Sequence, residues 1–237
     1  AAYRAQRRGG KGVTGIETKE EDFVEHLFSV STHDYLLFFT ERGNLHWLKA
    51  YEIPEGTRQA KGKSIANLLR IPADDHVAAL LRVREFTEGR AIVMATERGV
   101  VKKTALTAFS HPRKGGIIAI GVDEGDRLTH VKLTEGHHEV ILVTSEGKSI
   151  RFAEEDVREM GRGARGVRGI TLGKGDRVVD MEIVDESSAI LVISERGYGK
   201  RTGFSEFRKQ SRGGKGVICM RTGERNGRVV GAISVRE

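Results

Sequence analysis

A pattern that returns about every fifty residues is the feature that most constrains the fold of this chain. Each copy contains an apolar run, a short turn that ends in glycine, and a polar or basic run. The turn glycines are Gly43, Gly99, Gly147 and Gly197, which lie 56, 48 and 50 residues apart. Self-similarity of this period is typical of repeat architectures, in which each unit packs on its neighbours.

Each copy is predicted to form a β-hairpin followed by a third strand. The apolar runs are short, and the turn glycine can adopt a positive φ at no steric cost. Runs such as Ile141-Leu142-Val143 are apolar at successive positions, so both faces of such strands are predicted to be buried. The predicted hairpins span 36–49, 91–104, 140–152 and 189–202, and the third strands span 22–30, 75–83, 126–133, 176–183 and 226–235.

Repeats of this length with about four short strands predict an all-β, propeller-like disc of blades packed face to face. The chain is interpreted as a single domain cut in mid-repeat at both ends. One segment, 152–160, is expected to be helical or 3-10, because acidic residues favour a helix N-terminus. The predicted units are 1–30 (partial), 31–84, 85–134, 135–184 and 185–237.

A loop rich in Gly, Lys and Arg follows each hairpin. Copies occupy 57–64, 111–117, 161–169 and 210–217, and a fifth stands at 6–12. Glycine lets backbone N–H groups approach an anion, and long cationic side chains neutralise phosphate charge. Five such loops on one edge predict a curved positive track for duplex DNA, with salt-dependent and sequence-independent affinity. The net charge of +7 is consistent with such a polyanionic partner.

Two alternatives to the DNA track stay open at this point. A single basic loop is as easily an ordinary solvated turn, and a propeller-like disc with basic loops can also be a protein-interaction scaffold. Repetition in every unit favours the track. The residues assigned to it outside the loop at 6–12 are Arg58, Lys61, Lys63, Lys102, Lys103, Arg113, Lys114, Arg162, Arg165, Arg168, Lys200, Arg201, Arg212 and Lys215.

The basic loop at 6–12 carries a resemblance to a known family. Its heptapeptide QRRGGKG resembles, at all seven positions, the GyrA box of the C-terminal domain of bacterial DNA gyrase A subunits. The ERG hairpins, the GVRGI core of the third loop and the GYGKRT hairpin at 197–202 are similar to that domain too. A related domain in the A-type subunit of topoisomerase IV has a degenerate box or none.

The resemblance implies a β-pinwheel of about five to six four-stranded blades, with strands exchanged between neighbours. It also implies that DNA wraps around the outer rim, so that ATP-dependent strand passage introduces negative supercoils. The box residues that would hold the DNA are Gln6, Arg7, Arg8, Gly9, Gly10, Lys11 and Gly12.

The remaining expectations from the resemblance concern partners and place. Gyrase A and B subunits would assemble as A2B2 in the bacterial cytoplasm, at the nucleoid, and this domain alone would be monomeric. ATP and Mg²⁺ would serve the parent complex, so no cofactor is expected in this domain.

Catalytic and metal sites are not predicted. Of the four tyrosines, at 3, 35, 51 and 198, Tyr35 in an apolar strand and Tyr198 in a repeat hairpin do not have the setting of a nucleophile, and Tyr35 is expected to be buried. The histidines lack metal-ligand spacing, so His137 and His138 are interpreted as solvated turn residues. The pair Asp74-Asp75 is interpreted as turn residues rather than a Mg²⁺ site. A single cysteine excludes an internal disulfide, and the longest apolar stretches are far below the roughly 20 residues that span a membrane.

Overall fold

A computed structural model describes Arg8 and residues 27–57, 60 and 62–236. Over these residues the chain consists of short strands and tight connections. The strands are β1 (Tyr35–Thr40), β2 (Asn44–Lys49), β3 (Val77–Val83), β4 (Ala91–Thr96), β5 (Val100–Ala105), β6 (Ile117–Ile118), β7 (Leu128–Thr134), β8 (Glu139–Thr144), β9 (Lys148–Ala153), β10 (Val167–Arg168), β11 (Val178–Ile183), β12 (Ala189–Ser194), β13 (Gly199–Gly203), β14 (Val217–Ile218) and β15 (Val229–Val235). The helical elements are α1 (Ile65–Leu69) and 3-10 turns at Ala50–Glu52, Leu106–Phe109, Glu154–Asp156 and Phe204–Glu206.

The four predicted hairpins are confirmed. β1 pairs with β2, β4 with β5, β8 with β9 and β12 with β13, all antiparallel. The turn glycines have the predicted positive φ, for example 82° at Gly43 and 74° at Gly147. A Cβ on Gly43 would also lie 2.3 Å from the carbonyl oxygen of Ile120. The turn therefore requires glycine both for its backbone conformation and because the next repeat packs against it.

The predicted third strands are confirmed in four repeats. β3, β7, β11 and β15 each pair with the first strand of their hairpin. The strand predicted at 22–30 is not confirmed, because residues 27–30 have no strand structure and residues 22–26 lie outside the described residues.

Each of the first three sheets takes its outermost strand from the following repeat. The sheet orders are β3-β1-β2-β6, β7-β4-β5-β10 and β11-β8-β9-β14, and the last sheet is β15-β12-β13. β6, β10 and β14 are only two residues long, and each lies in or at the end of a basic loop. The chain is therefore an all-β pinwheel with exchanged strands, as predicted.

The hydrophobic core lies between consecutive sheets. In β4, Ile92 and Met94 pack in the cluster shared with the first sheet, while Val93 and Ala95 pack in the cluster shared with the third. All four side chains are at most 1% exposed. Burying an aliphatic side chain of this size contributes about 1.5–3 kcal/mol, so strands that are apolar on both faces stabilise two interfaces at once.

The helical elements are short. The expected helix or 3-10 turn within 152–160 is present as the 3-10 turn Glu154–Asp156, whereas α1 was not predicted. Among the described residues, no helix is long and apolar enough to cross a membrane.

Tyr35, expected to be buried, is partly exposed, and Cys219 is a buried free thiol.

Candidate nucleic-acid interface

The basic loops lie at the edge of the disc that is opposite to the third strands. β3, β7, β11 and β15 contact one another in series, which places them on the axial side of the stacked sheets. The short strands of the basic loops pair at the other end of each sheet: Ile117 is opposite Leu45, and Val167 is opposite Val101. The two-residue strands thus fix the second, third and fourth basic loops to the outer edge of the preceding sheet.

Consecutive basic loops are joined by backbone hydrogen bonds. Gly121 N–H, just after the second loop, donates to the carbonyl of Ala164 in the third at 3.0 Å. Gly213 N–H in the fourth loop donates to the carbonyl of Gly169 in the third at 2.6 Å. Thr171 extends this contact through its hydroxyl, which donates to the Gly213 carbonyl at 2.7 Å. The loops at 111–117, 161–169 and 210–217 therefore form one connected ribbon rather than separate turns.

Most of the predicted cations on this ribbon are exposed. Arg165 is 77% exposed and forms a surface ion pair with Asp123 at 2.9 Å. Arg212 is half-buried because its guanidinium donates to the carbonyls of Asp156 and Arg168, so it connects the loop to its neighbour. Arg162 is also half-buried. The exposed cations of the ribbon are Arg113, Lys114, Arg165, Arg168 and Lys215, and Lys63 of the loop 57–64 and Lys200 and Arg201 of the last hairpin are exposed as well.

The surface placement predicted for Lys102 and Lys103 is wrong. Lys102 is 0% and Lys103 8% exposed, because β5 lies inside its sheet with β10 covering its outer side. The Lys102 ammonium donates to the carbonyl of Ala119 at 2.6 Å and to that of Arg162. Burial, with a smaller contribution from the Arg162 guanidinium, lowers the pKa of Lys102 to about 8. These lysines fix loops from inside and do not face an external phosphate.

Two other basic residues of the second hairpin strands are buried as well. His46 is buried, which lowers its pKa. Arg151 is buried in ion pairs with Glu139 and Glu186. The predicted cations of the last hairpin, Lys200 and Arg201, are exposed because β13 has a partner on one side only among the described residues.

A groove of about 740 Å³ beside the third loop is lined by a basic side chain, Arg98, that was not predicted from the sequence to belong to the track. It is lined by Arg98 together with Arg165 and Arg168, and by the carboxylates of Asp123 and Asp176. Arg98 belongs to the hairpin turn itself, at the position before the turn glycine. The recurring Glu-Arg-Gly turn is the signal that could have revealed it.

Part of the predicted interface lies outside the described residues. This applies to Gln6, Arg7, Gly9, Gly10, Lys11 and Gly12 of the box-like heptapeptide and to Arg58 and Lys61 of the next loop. Arg8, which is described, is exposed in a turn.

Comparison with known families agrees with this architecture. The family model of the DNA gyrase C-terminal domain, beta-propeller, matches residues 1–31, 34–84, 91–135, 138–185 and 189–236. The chain belongs to this DNA gyrase C-terminal domain family. Over 233 residues it is 50% identical to the DNA gyrase A subunit of Salmonella typhimurium, covering 98% of this chain and 26% of that protein. The chain thus spans about a quarter of the length of that relative.

Two solved structures share the fold. The C-terminal domain of DNA topoisomerase IV superposes with a TM-score of 0.79 at 30% identity, over 86% of this chain and 64% of that one. A DNA gyrase A C-terminal domain superposes with a TM-score of 0.75 at 30% identity, over 88% of this chain and 68% of that one. The gyrase-type pinwheel found in the sheet order is therefore shared with both enzymes' C-terminal domains.

Proposed function

We propose that the outer edge of this pinwheel binds duplex DNA and bends it around the disc. The observation that carries the proposal is the connected ribbon of basic loops, which places exposed Arg and Lys side chains of successive repeats along one edge. A protein contact needs only one patch. A cationic surface repeated at every blade suits a long polyanion better.

The energetics of a duplex on this edge are favourable. DNA carries one negative charge per roughly 1.7 Å of axis, and each neutralised phosphate releases condensed counterions. Bending a site of 20–30 base pairs by 40–90° costs on the order of 1–6 kcal/mol. Phosphate contacts at several loops offset that cost without any base readout, so affinity depends on duplex length and flexibility.

We further propose that the domain performs this binding for a DNA gyrase. The chain would be a non-catalytic part of a gyrase A protomer, which assembles with B protomers as A2B2 in the bacterial cytoplasm. ATP and Mg²⁺ would act elsewhere in that complex, and none is assigned here. The wrapped DNA would present the crossing that strand passage converts into negative supercoils, with the residues at 6–12 completing the wrap. Family membership and the 50% identity to the Salmonella protein support this assignment.

A salt titration with linear duplexes of increasing length tests the binding step, with bending measured by fluorescence transfer between the duplex ends. We expect affinity and bending to increase together with length. In the double variant Arg113→Ala/Lys114→Ala, the negative slope of log affinity against log salt should become less steep by about 1.8, the value for two lost phosphate contacts.

The matched control removes two positive charges away from the outer edge. Arg84 and Arg90 lie between β3 and β4, so Arg84→Ala/Arg90→Ala should leave the slope nearly unchanged. Equal slopes in the two variants would show that net charge alone attracts DNA. Binding that is weak, independent of length and without bending would instead favour a protein-interaction scaffold.

A further inference from the structure

The residue that directly follows α1 has an unusual backbone conformation. Arg70 has a φ of 51°, and among the described residues it is the only one other than glycine with a positive φ. A left-handed residue commonly ends a helix, and it is usually glycine because the Cβ of any other residue is crowded there. Arginine at this place therefore destabilises the fold relative to glycine, which points to a use for its side chain.

The side chain of Arg70 lines a cavity of about 220 Å³ between β2, the end of α1 and the basic loop 111–117. Arg113 and Lys114 of that loop line the same cavity. A water molecule takes up about 30 Å³ in the liquid, so the cavity has room for a phosphate group and the waters around it. Cations from two repeats thus meet at one cavity of suitable size.

His46 holds both sides of this cavity in place. A Cβ on Gly116 would lie 2.8 Å from Cε1 of His46, so the backbone of the basic loop packs directly on the imidazole. The imidazole also hydrogen-bonds to the backbone of Leu69, the last residue of α1. Burial lowers the pKa of His46, against the opposing effects of the Asp75 carboxylate and of this hydrogen bond. The ring is therefore a neutral support that fixes the end of α1 beside the loop.

The charges around the cavity favour an anion. Within the described part of the chain, the side chains of Arg70, Arg113 and Lys114 form no hydrogen bond or ion pair. The lining contains one carboxylate, that of Glu52, and its Oε2 already accepts the backbone N–H of Lys49 at 2.7 Å. Cations that share a cavity repel one another, and an anion between them removes the repulsion. The planar guanidinium of arginine suits a phosphate in particular, because it can donate two parallel hydrogen bonds.

We propose that this cavity holds one phosphate of the duplex, with Arg70 as a phosphate-binding residue. Arg70 would extend the DNA track from the loop 111–117 onto the preceding repeat. The inference rests on the proposed function, because the phosphate belongs to a duplex that already contacts this loop. Free inorganic phosphate has the same chemistry, so the experiment must separate the two sources.

Trp47 is a built-in reporter of the cavity. It is the only tryptophan of the chain, it lines the cavity, and its indole N–H donates to the carbonyl of Phe109 at 3.1 Å. At constant ionic strength, duplex DNA should change the Trp47 emission with the midpoint that a labelled duplex gives for binding. Inorganic phosphate at the same concentration of phosphate groups should not change it. An equal response to inorganic phosphate, or none to saturating duplex, would overturn the assignment.

The variant Arg70→Gly separates phosphate binding from a structural role. Glycine adopts a positive φ without steric cost, so the Tm should not fall, whereas loss of a structural side chain would lower it. The negative slope of log affinity against log salt should become less steep by about 0.9, the value for one lost phosphate contact. The control Arg84→Ala removes one exposed positive charge that does not line the cavity and should leave the slope unchanged.

The outcomes distinguish this inference from the function on which it rests. If Arg70→Gly keeps the slope of the unmodified chain while duplex binding still depends on salt and length, the role of Arg70 is refuted and the outer-edge proposal stands. If the unmodified chain does not bind duplex DNA, both proposals fail.

Discussion

At the scale of single residues, Lys102 shows how a basic side chain in a basic sequence can be a core residue. Its pKa is lowered from 10.5 to about 8, so between these pH values the unfolded chain holds a proton that the folded chain has released. The free energy of unfolding should therefore increase as the pH rises through this window, because the folded chain is relieved of the buried charge, and should not depend on the titration of Lys102 below it. Denaturant unfolding should detect a gain of about 2 kcal/mol from pH 8 to about 9.5, relative to Lys102→Met.

The control for this experiment is an exposed lysine of the same charge. Lys114→Met removes a side chain that is open to solvent in the second basic loop. Its stability should follow that of the unmodified chain at every pH. If Lys102→Met also follows it, the ammonium of Lys102 titrates as in water and the burial argument fails.

The exposure of individual basic side chains was the property that the sequence predicted least well. Lys102 and Lys200 stand three residues after their turn glycines, and the local pattern is the same at both. Their exposure differs because β10, from the following repeat, covers β5, while β13 has an open side among the described residues. The local sequence pattern does not reveal which strand of the next repeat will cover a side chain. The sequence therefore predicted where the basic loops lie, but not which of the assigned cations are exposed.

At the scale of elements, an aspartate links the hairpin turn to the strand that follows the basic loop. Oδ1 of Asp176 accepts hydrogen bonds from the Ser145 hydroxyl at 3.0 Å, and from the backbone N–H of Glu146 and Arg177 at 2.9 Å each. Asp75 accepts in the same way from Arg42 N–H at 3.2 Å.

Removing this link should destabilise the third sheet. In Asp176→Ala, three donors lose an ionised acceptor, so the free energy of unfolding should decrease by about 1–3 kcal/mol. Urea unfolding measures the change. Asp123→Ala is the matched control, since its carboxylate forms an exposed ion pair with Arg165 and such pairs contribute about 0–1 kcal/mol. Equal losses in the two variants would contradict the linking role of Asp176.

The elements themselves were predictable wherever the pattern is local. Hairpins and third strands follow from apolar runs and turn glycines that are close together in the sequence. β6, β10 and β14 carry no such signal, because two residues are too few for periodicity and their partners lie in the preceding repeat. The exchange of strands came only from the family resemblance. α1 has five residues and no distinct helical period, so nothing local indicated it.

At the scale of the whole molecule, the proposed DNA wrap requires the loops of successive repeats to act together, so the contribution of one loop depends on its place in the wrap. The heptapeptide at 6–12 is the only copy that matches the family's box at every position, whereas the other loops are divergent copies. In a complete gyrase, the triple variant Arg7→Ala/Arg8→Ala/Lys11→Ala should abolish or strongly reduce negative supercoiling. The isolated domain with the same changes should retain most of its affinity for DNA, because the other loops still neutralise phosphates.

A charge-matched variant distinguishes the position of these residues from their charge. Arg113→Ala/Lys114→Ala/Lys215→Ala also removes three positive charges, but from two loops that lie along the described ribbon. This variant should lower the salt dependence of DNA binding but preserve more supercoiling than the box variant. Loss of cations along the ribbon weakens the track, yet the remaining loops still bend the DNA. Loss of the box leaves the wrap unfinished, so the DNA does not present a crossing. Supercoiling assays on relaxed plasmid, with ATP-independent relaxation as the measure of intact strand passage, compare the two. Full supercoiling by the box variant would show that the loops contribute equally and that the heptapeptide has no separate role.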